Sequence, residues 1–139
     1  MAKVEPIIKK WVEYMDAGKI MGLKCKTCGQ VQFPPVPVCN ECSGTDMEWV
    51  EMSGNGVLQS FLFSIMGIYG YTNTPCVMGY VMLDEGKTCA GRLLNVTKSQ
   101  QPALLKMMQE GPVHVKMSTE LLGTDHKFFA FTVVEKIPE

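Results

Sequence analysis

Two cysteine pairs of the form C-x2-C stand in residues 25–42, which read CKTCGQVQFPPVPVCNEC, with ten residues between the pairs. Two residues between thiolates let both sulfur atoms reach one ion from a tight turn, and Gly29 permits the turn that follows the first pair. Four thiolates around a tetrahedral ion are typical of zinc and leave no position for a substrate water. The pattern predicts a structural zinc ion whose binding energy contributes to folding. The predicted ligands are Cys25, Cys28, Cys39 and Cys42.

Two other uses of these cysteines are chemically consistent with the spacing. Iron in a rubredoxin-like site takes the same four ligands, and the pairs could also form redox disulfides. The chain begins Met-Ala-Lys-Val-Glu-Pro, without an apolar segment and a small-residue cleavage site. We therefore expect a cytoplasmic protein, in which clustered cysteines favour metal over disulfides.

Composition excludes several classes of protein. Of the 139 residues, 46% are hydrophobic and 19% are charged, which is the balance of a folded chain of one or two small domains. No apolar run approaches the roughly 20 residues that span a bilayer, so we expect no membrane partner. The net charge of −1 argues against a nucleic-acid partner, because phosphate binding usually needs a positive face.

The residues before the cysteines predict an amphipathic helix over 4–18, ended by Gly18. Its apolar residues recur at helical spacing, and we expect them to form one stripe: Val4, Ile7, Ile8, Trp11, Val12 and Met15. This stripe needs a surface to cover. The sequence leaves open whether that surface belongs to this chain or to another protein.

The residues after the cysteines predict five strands, over 57–65, 76–83, 88–94, 113–121 and 127–135. A helix over 102–109 stands between the third and fourth strands, with Leu104, Leu105 and Met108 expected on one side. This order is typical of an OB-fold, whose closed barrel leaves few exposed sheet edges. The fold class is therefore mainly β. The predicted units are an N-terminal helix at 1–20, a rubredoxin-like zinc ribbon at 21–50 and an OB-fold at 51–139.

No set of residues predicts catalysis by this chain. His114 and His126 fall in a strand and a turn without a paired nucleophile. Cys76 and Cys89 fall in apolar strands, where a buried thiol has a raised pKa and is inert. Adjacent carboxylates at Asp84 and Glu85 are interpreted as solubilising a hairpin turn.

Aromatic residues offer candidate contacts with a partner or ligand. The segment 67–75 places Tyr69 and Tyr71 among glycines and a proline, where they either pack on the barrel rim or contact a partner or a nucleotide-like ligand. Phe61 and Phe63 share one strand face, which indicates core packing or ligand stacking.

The chain resembles the acyl-CoA-associated family in which a rubredoxin-like zinc ribbon precedes an OB-fold, long catalogued as a domain of unknown function. The likeness covers nearly the whole chain, and its most specific parts are Phe-Pro-Pro between the cysteine pairs and Leu-Asp-Glu-Gly in the barrel. The carrying segments are the N-terminal helix and residues 22–29 (GLKCKTCG), 33–35 (FPP), 39–42 (CNEC), 53–58 (SGNGVL) and 81–86 (VMLDEG).

The resemblance implies a non-catalytic accessory subunit that stabilises a larger thiolase-fold or hydratase subunit and helps enclose the CoA moiety of an acyl-CoA substrate. In size and sulfur content the chain is similar to thiolase subunits of anaerobic aromatic degradation, such as those of the benzylsuccinate pathway. Many family members carry Arg where this chain has Lys24 and Val36, and neither residue has the fork with which Arg grips phosphate.

Residue chemistry alone supplies candidate CoA contacts: the cations Lys24, Lys26 and Arg92, with Tyr69 and Tyr71 as stacking groups. The leading hypothesis is a subunit of an acyl-CoA enzyme, in particular a thiolase. The alternative is a single-stranded nucleic-acid-binding zinc-ribbon/OB-fold module, and a third is a rubredoxin-like electron carrier.

Overall fold

The computed structural model describes residues 7–64, 76–121 and 127–138. Its helices are α1 (Ile7–Asp16) and α2 (Gln101–Glu110), with a short 3-10 helix (Lys98–Gln100) leading into α2. Its strands are β1 (Met21–Cys25), β2 (Val31–Gln32), β3 (Met47–Glu51), β4 (Asn55–Ser64), β5 (Cys76–Leu83), β6 (Thr88–Leu93), β7 (His114–Leu121) and β8 (Lys127–Val133). Neither described α-helix has the length and hydropathy of a membrane span.

The N-terminal helix packs on its own chain, which settles the alternative that the sequence leaves open. Trp11 and Met15 are buried, and the Trp11 ring lies within 6.0 Å of the rings of Phe33 and Phe129, measured between ring centroids. Gly18 ends the helix as predicted, with a φ of 83° that a residue with a Cβ rarely adopts.

One apolar residue in each helix lies off the predicted face. Ile8 in α1 is 62% exposed and Leu105 in α2 is 51% exposed, although both were expected on the packed side. Ile8 directly follows the half-buried Ile7, and Leu105 directly follows the buried Leu104. Consecutive helical side chains point about 100° apart, so the second residue of each pair faces outward. Leu104 is fully buried, and Met108 packs against the core as predicted.

The cysteine-rich segment forms a small antiparallel sheet with strand order β2-β1-β3. Leu23 in the central strand pairs with Gln32 on one side and with Trp49 on the other. The ribbon also supplies Phe33 to the interior, where its ring contacts Phe129 of β8 at a centroid distance of 5.1 Å. The ribbon and the barrel therefore share one aromatic cluster with α1.

The remaining strands close into a five-stranded barrel with order β4-β5-β6-β8-β7. Neighbouring strands are antiparallel except β6 and β8, which pair in parallel at Leu93 and Phe131. The helix α2 lies between the third and fourth barrel strands. The predicted mainly β fold with an OB-fold barrel is thereby confirmed.

Alternation along the strands fills the barrel interior. In β7, Val115 and Met117 are buried while His114 and Lys116 are exposed, as the sequence predicts. Gly91 faces Phe131 so closely that a Cβ would lie 2.6 Å from its ring, so glycine gives this ring its space.

The turn between β5 and β6, residues 84–87, contacts the segment that leaves the ribbon. The carboxylate of Glu85 accepts hydrogen bonds from the Ser53 backbone N–H at 3.2 Å and from the Ser53 hydroxyl at 2.9 Å. Glu85 therefore has a role beyond solubilising the hairpin turn, because its carboxylate joins two parts of the fold. The partner lies 32 positions away, a separation at which a sequence pattern carries no contact information.

Candidate metal centre

The two cysteine pairs form two knuckles, residues 25–30 and 39–44, that repeat one hydrogen-bonding pattern 14 positions apart. In the first knuckle the backbone N–H of Gly29 donates to the carbonyl of Cys25, and Cys25 donates to Gln30. In the second, Ser43 donates to Cys39, and Cys39 donates to Gly44. The repeat gives two equivalent turns, each of which presents a pair of sulfur atoms.

The four sulfur atoms converge on one point. All four Sγ atoms lie within 4.8 Å of one another. The cross-knuckle distances are 3.6 Å between Cys25 and Cys42 and 3.5 Å between Cys28 and Cys39. Zinc–sulfur bonds of about 2.3 Å in a tetrahedron place sulfur atoms roughly 3.8 Å apart, so the predicted ligands fit a tetrahedral ion.

The surroundings of the sulfur atoms are compact and partly buried. Cys25 and Cys39 are buried, whereas Cys28 and Cys42 are exposed. A Cβ on Gly44 would lie 3.2 Å from the Cys42 Sγ, so a larger residue there would crowd the ligand.

Gln32 is a buried polar residue at this centre, and sequence reasoning missed it. Its side chain is 2% exposed, and its Nε2 donates to the Cys39 Sγ at 3.8 Å. A donor to a ligating sulfur stabilises the thiolate and orients it toward the metal. The signal in the sequence is a glutamine within an otherwise apolar and proline-rich stretch, which is too weak to assign a role.

In each knuckle the pKa of the first thiol is lowered and the pKa of the second thiol is raised. The backbone N–H of Cys28 is the largest influence that lowers the pKa of the Cys25 thiol, to about 6. The Gln30 N–H acts to lower the pKa of the Cys28 thiol, but desolvation and the neighbouring thiols outweigh it and raise the pKa to about 12. Four thiolates at these distances repel one another unless a cation lies between them, which is the chemistry that a zinc ion supplies.

The described candidate CoA contacts fall in separate parts of the fold. Lys24 lies in β1 opposite Glu48 of β3, and the Lys26 Nζ forms an ion pair with Asp46 at 3.7 Å. Arg92 lies in β6 of the barrel and is half-buried. Tyr69 and Tyr71 lie outside the described residues, as does His126.

The described residues contain one cluster of three or more candidate metal ligands, the four cysteines. Cys76 and Cys89 are buried, as predicted, and burial raises the pKa of the Cys89 thiol to about 12. Phe61 and Phe63 pack against the core, which favours the first of their two interpretations.

A histidine–glutamate pair at the barrel surface was not anticipated from the sequence. The His114 Nδ1 lies 2.5 Å from the Glu135 Oε1, and the His114 backbone N–H donates to the other carboxylate oxygen at 2.9 Å. Burial acts to raise the pKa of Glu135, but the bonds from His114 outweigh it and hold the pKa below its ordinary value. Both side chains are at the surface of the barrel.

Comparison with known proteins places this geometry among zinc ribbons. Residues 15–48 match the family described as ChsH2, rubredoxin-like zinc ribbon domain. These residues contain all four cysteines and Gln32.

Two curated relatives carry names that describe subunits or scaffolds. The chain is 39% identical over 66 residues to the benzoylsuccinyl-CoA thiolase subunit BbsA of Thauera aromatica, a match that covers 48% of this chain and 45% of the relative. It is 24% identical over 91 residues to a DUF35 domain-containing scaffold protein of Methanocaldococcus jannaschii, covering 64% of each. The matched residues thus span about half the length of the first relative.

Two solved structures share the fold. One, titled an Ltp2-ChsH2(DUF35) aldolase, has a TM-score of 0.73 at 18% identity and covers 97% of this chain and 100% of that chain. The other is a protein of unknown function from the DUF35 family of Sulfolobus solfataricus, with a TM-score of 0.57 at 15% identity, covering 92% of this chain and 85% of that chain. At these identities the likeness shows the fold.

Proposed function

We propose that this chain is a member of the ChsH2 zinc-ribbon/DUF35 family and, on that premise, a non-catalytic accessory subunit of an acyl-CoA-processing enzyme. The catalytic subunit is a larger thiolase-fold protein, and this chain stabilises it and helps enclose the CoA moiety. The proposal places the complex in the cytoplasm, in thiolytic carbon–carbon bond cleavage or its reverse.

Similarity to proteins named as enzyme subunits carries the proposal. The 39% identity falls on a protein named as a thiolase subunit, and the barrel and ribbon together superpose on a chain from a structure titled with two components, Ltp2 and ChsH2. A further relative, from Thermomonospora curvata, is named a probable enoyl-CoA hydratase alpha subunit and is 24% identical over 106 residues, 73% of this chain and 33% of the relative. Names of this kind support a role inside an acyl-CoA enzyme complex.

The chemistry of the described residues agrees with an accessory role. The four cysteines would hold zinc with every coordination position filled by protein, which is a structural site and not a catalytic one. Cys76 and Cys89 are buried, and burial raises the pKa of the Cys89 thiol, which is the opposite of what a nucleophilic cysteine needs. The reacting groups are therefore expected on the partner.

An exposed apolar surface supports a protein partner. Leu62, Tyr80 and Met82 lie on the outer face of β4 and β5 and are 59%, 45% and 38% exposed. A groove of about 230 Å³ runs over the same face. Exposed apolar side chains on one face are typical of interaction sites, and Tyr and Met are enriched in interface cores.

Contacts with CoA are the finer part of the proposal. The candidates remain Lys24, Lys26, Tyr69, Tyr71 and Arg92. Among the described candidates Arg92 carries the guanidinium fork, which can grip a phosphate at two points, so we expect it to contribute most of any phosphate contact.

The experiment is co-purification of the tagged chain from its native host, with peptide mass spectrometry of the eluate. We expect a stoichiometric thiolase-fold protein. Cys28→Ser should lose zinc and yield an insoluble or partner-free chain, whereas Cys76→Ser, which removes a non-ligating thiol, should retain zinc. A soluble, zinc-free Cys28→Ser chain that still binds its partner would contradict the structural-zinc account. Recovery with single-stranded nucleic acid would favour the alternative function.

A further inference from the structure

The turn at residues 84–87 makes two separate contacts, one with the zinc ribbon and one with the segment that leaves it. At the first, the Lys87 Nζ lies 3.4 Å from the Glu41 Oε1, inside the second C-x2-C pair. At the second, Glu85 accepts the two hydrogen bonds from Ser53, two residues after β3 ends. One turn of the barrel thus contacts both a metal-binding knuckle and the segment that leaves the ribbon.

The first contact is more sheltered than a typical surface ion pair. The Lys87 side chain is 20% exposed, whereas Lys26 in its ion pair with Asp46 is 51% exposed. Glu41 stands directly before the ligand Cys42, so displacement of the knuckle moves the Glu41 carboxylate with it.

Backbone hydrogen bonds also join the 84–87 turn to the strands of the barrel. The Asp84 N–H donates to the Asn55 carbonyl at 3.0 Å, and the Leu83 N–H donates to the Lys87 carbonyl at 2.8 Å. Asn55 begins β4, and Leu83 ends β5. A displacement of the turn would therefore also displace the ends of β4 and β5, the strands on which Leu62, Tyr80 and Met82 are exposed.

We propose that the 84–87 turn couples the metal state of the ribbon to the barrel, through the Glu41–Lys87 ion pair and the Ser53–Glu85 hydrogen bonds. Occupation of the four-cysteine centre orders the second knuckle, the knuckle holds Lys87, and the turn holds the β4 and β5 ends. Coupling of this kind is reciprocal, so loss of the ion pair must also weaken metal binding. The inference does not depend on which partner or substrate the protein has.

The test is backbone amide hydrogen exchange, followed by NMR, on the full chain with zinc and after zinc is removed by a chelator. In the wild-type chain, zinc removal should accelerate exchange at Asp84 and Leu83 more than at Val134, whose N–H donates to His114 elsewhere on the barrel. In Lys87→Met, which removes the ion pair but keeps the Ser53–Glu85 hydrogen bonds, this excess should be smaller. In the zinc-bound form, the same variant should raise exchange at the turn by about two- to fivefold, the range expected of one ion pair.

Lys26→Met is the matched control, because its ion pair with Asp46 lies within the ribbon. It should leave exchange at the turn unchanged. A double-mutant cycle of Glu41→Gln and Lys87→Met on zinc affinity should be non-additive, with the double variant no weaker than either single variant. The proposal would be overturned if zinc removal still accelerated exchange at the turn as strongly in Lys87→Met as in the wild type. It would also be overturned if Lys26→Met changed exchange at the turn as much as Lys87→Met does, or if the effects of the two substitutions in the cycle on zinc affinity were additive.

Discussion

Gly29 and Ser43 occupy equivalent positions in the two cysteine knuckles, and both have a left-handed backbone, with φ of 81° and 61°. Glycine adopts this conformation without steric cost, whereas a residue with a Cβ pays about 1–2 kcal/mol. The two knuckles therefore make the same turn at different conformational cost, and substitution should reveal the difference.

We predict that Ser43→Gly raises the free energy of unfolding of the zinc-bound protein by about 0.5 kcal/mol, because relief of the left-handed strain exceeds the added entropy of the unfolded chain. Gly29→Ala should lower it by about 1 kcal/mol, although a Cβ there meets no atom within 4 Å, because strain alone acts. Urea unfolding at a fixed free zinc concentration measures both changes. Shifts of the same sign would show that backbone strain does not govern these turns.

Gln32 offers a prediction about the metal itself. Replacement by Leu keeps the volume and removes the donor to the Cys39 sulfur, so zinc affinity should fall about tenfold, as for other groups that support metal ligands. Competition with a chromophoric chelator measures the affinity. The matched control is Gln30→Leu, since Gln30 is exposed and contributes its backbone carbonyl to the knuckle. Equal zinc affinities of the two variants would contradict a role of Gln32 in metal binding.

The helix α1 is predicted to stabilise its own chain. Trp11→Ala should lower the free energy of unfolding by about 3 kcal/mol, because it empties the site among Phe33, Phe128 and Phe129. Ile8→Ala, at an exposed position of the same helix, should change it by less than about 0.5 kcal/mol. Thermal or urea unfolding of both variants decides between a packed and a detached helix. Similar small changes would mean that the helix covers no part of this chain in solution.

Sequence pattern predicted most of the fold because the relevant signals are local. The C-x2-C spacing gave the metal ligands, and alternation such as Val115 and Met117 against His114 and Lys116 gave the barrel strands. The face of a helix was less well predicted, since Ile8 and Leu105 are apolar residues that tertiary packing leaves exposed.

Contacts between distant residues could not be predicted from one sequence. The Glu85–Ser53, Lys87–Glu41 and His114–Glu135 pairs are 32, 46 and 21 positions apart, and each depends on how ribbon, barrel and chain end are arranged in space. Gln32 is closer to its partner Cys39, yet its role depends on burial that the surrounding prolines do not reveal.

The His114–Glu135 pair predicts a dependence on pH. Because the folded pKa of Glu135 is lowered, its contribution to stability is present above the ordinary glutamate pKa and is lost as pH falls through the folded value. His114→Ala should raise the titration midpoint of the Glu135 carboxyl, measured by carbon NMR. The stability difference between wild type and variant should shrink on acidification. An unchanged midpoint would contradict the pairing.

The central claim is that this chain is a zinc-bearing accessory subunit of a larger acyl-CoA enzyme, and native mass spectrometry of the complex isolated from the host tests it most directly. The account predicts a defined assembly in which each copy of this chain carries one zinc ion and accompanies a larger thiolase-fold polypeptide in a fixed ratio. A chain recovered alone, without zinc, or bound to nucleic acid would contradict it.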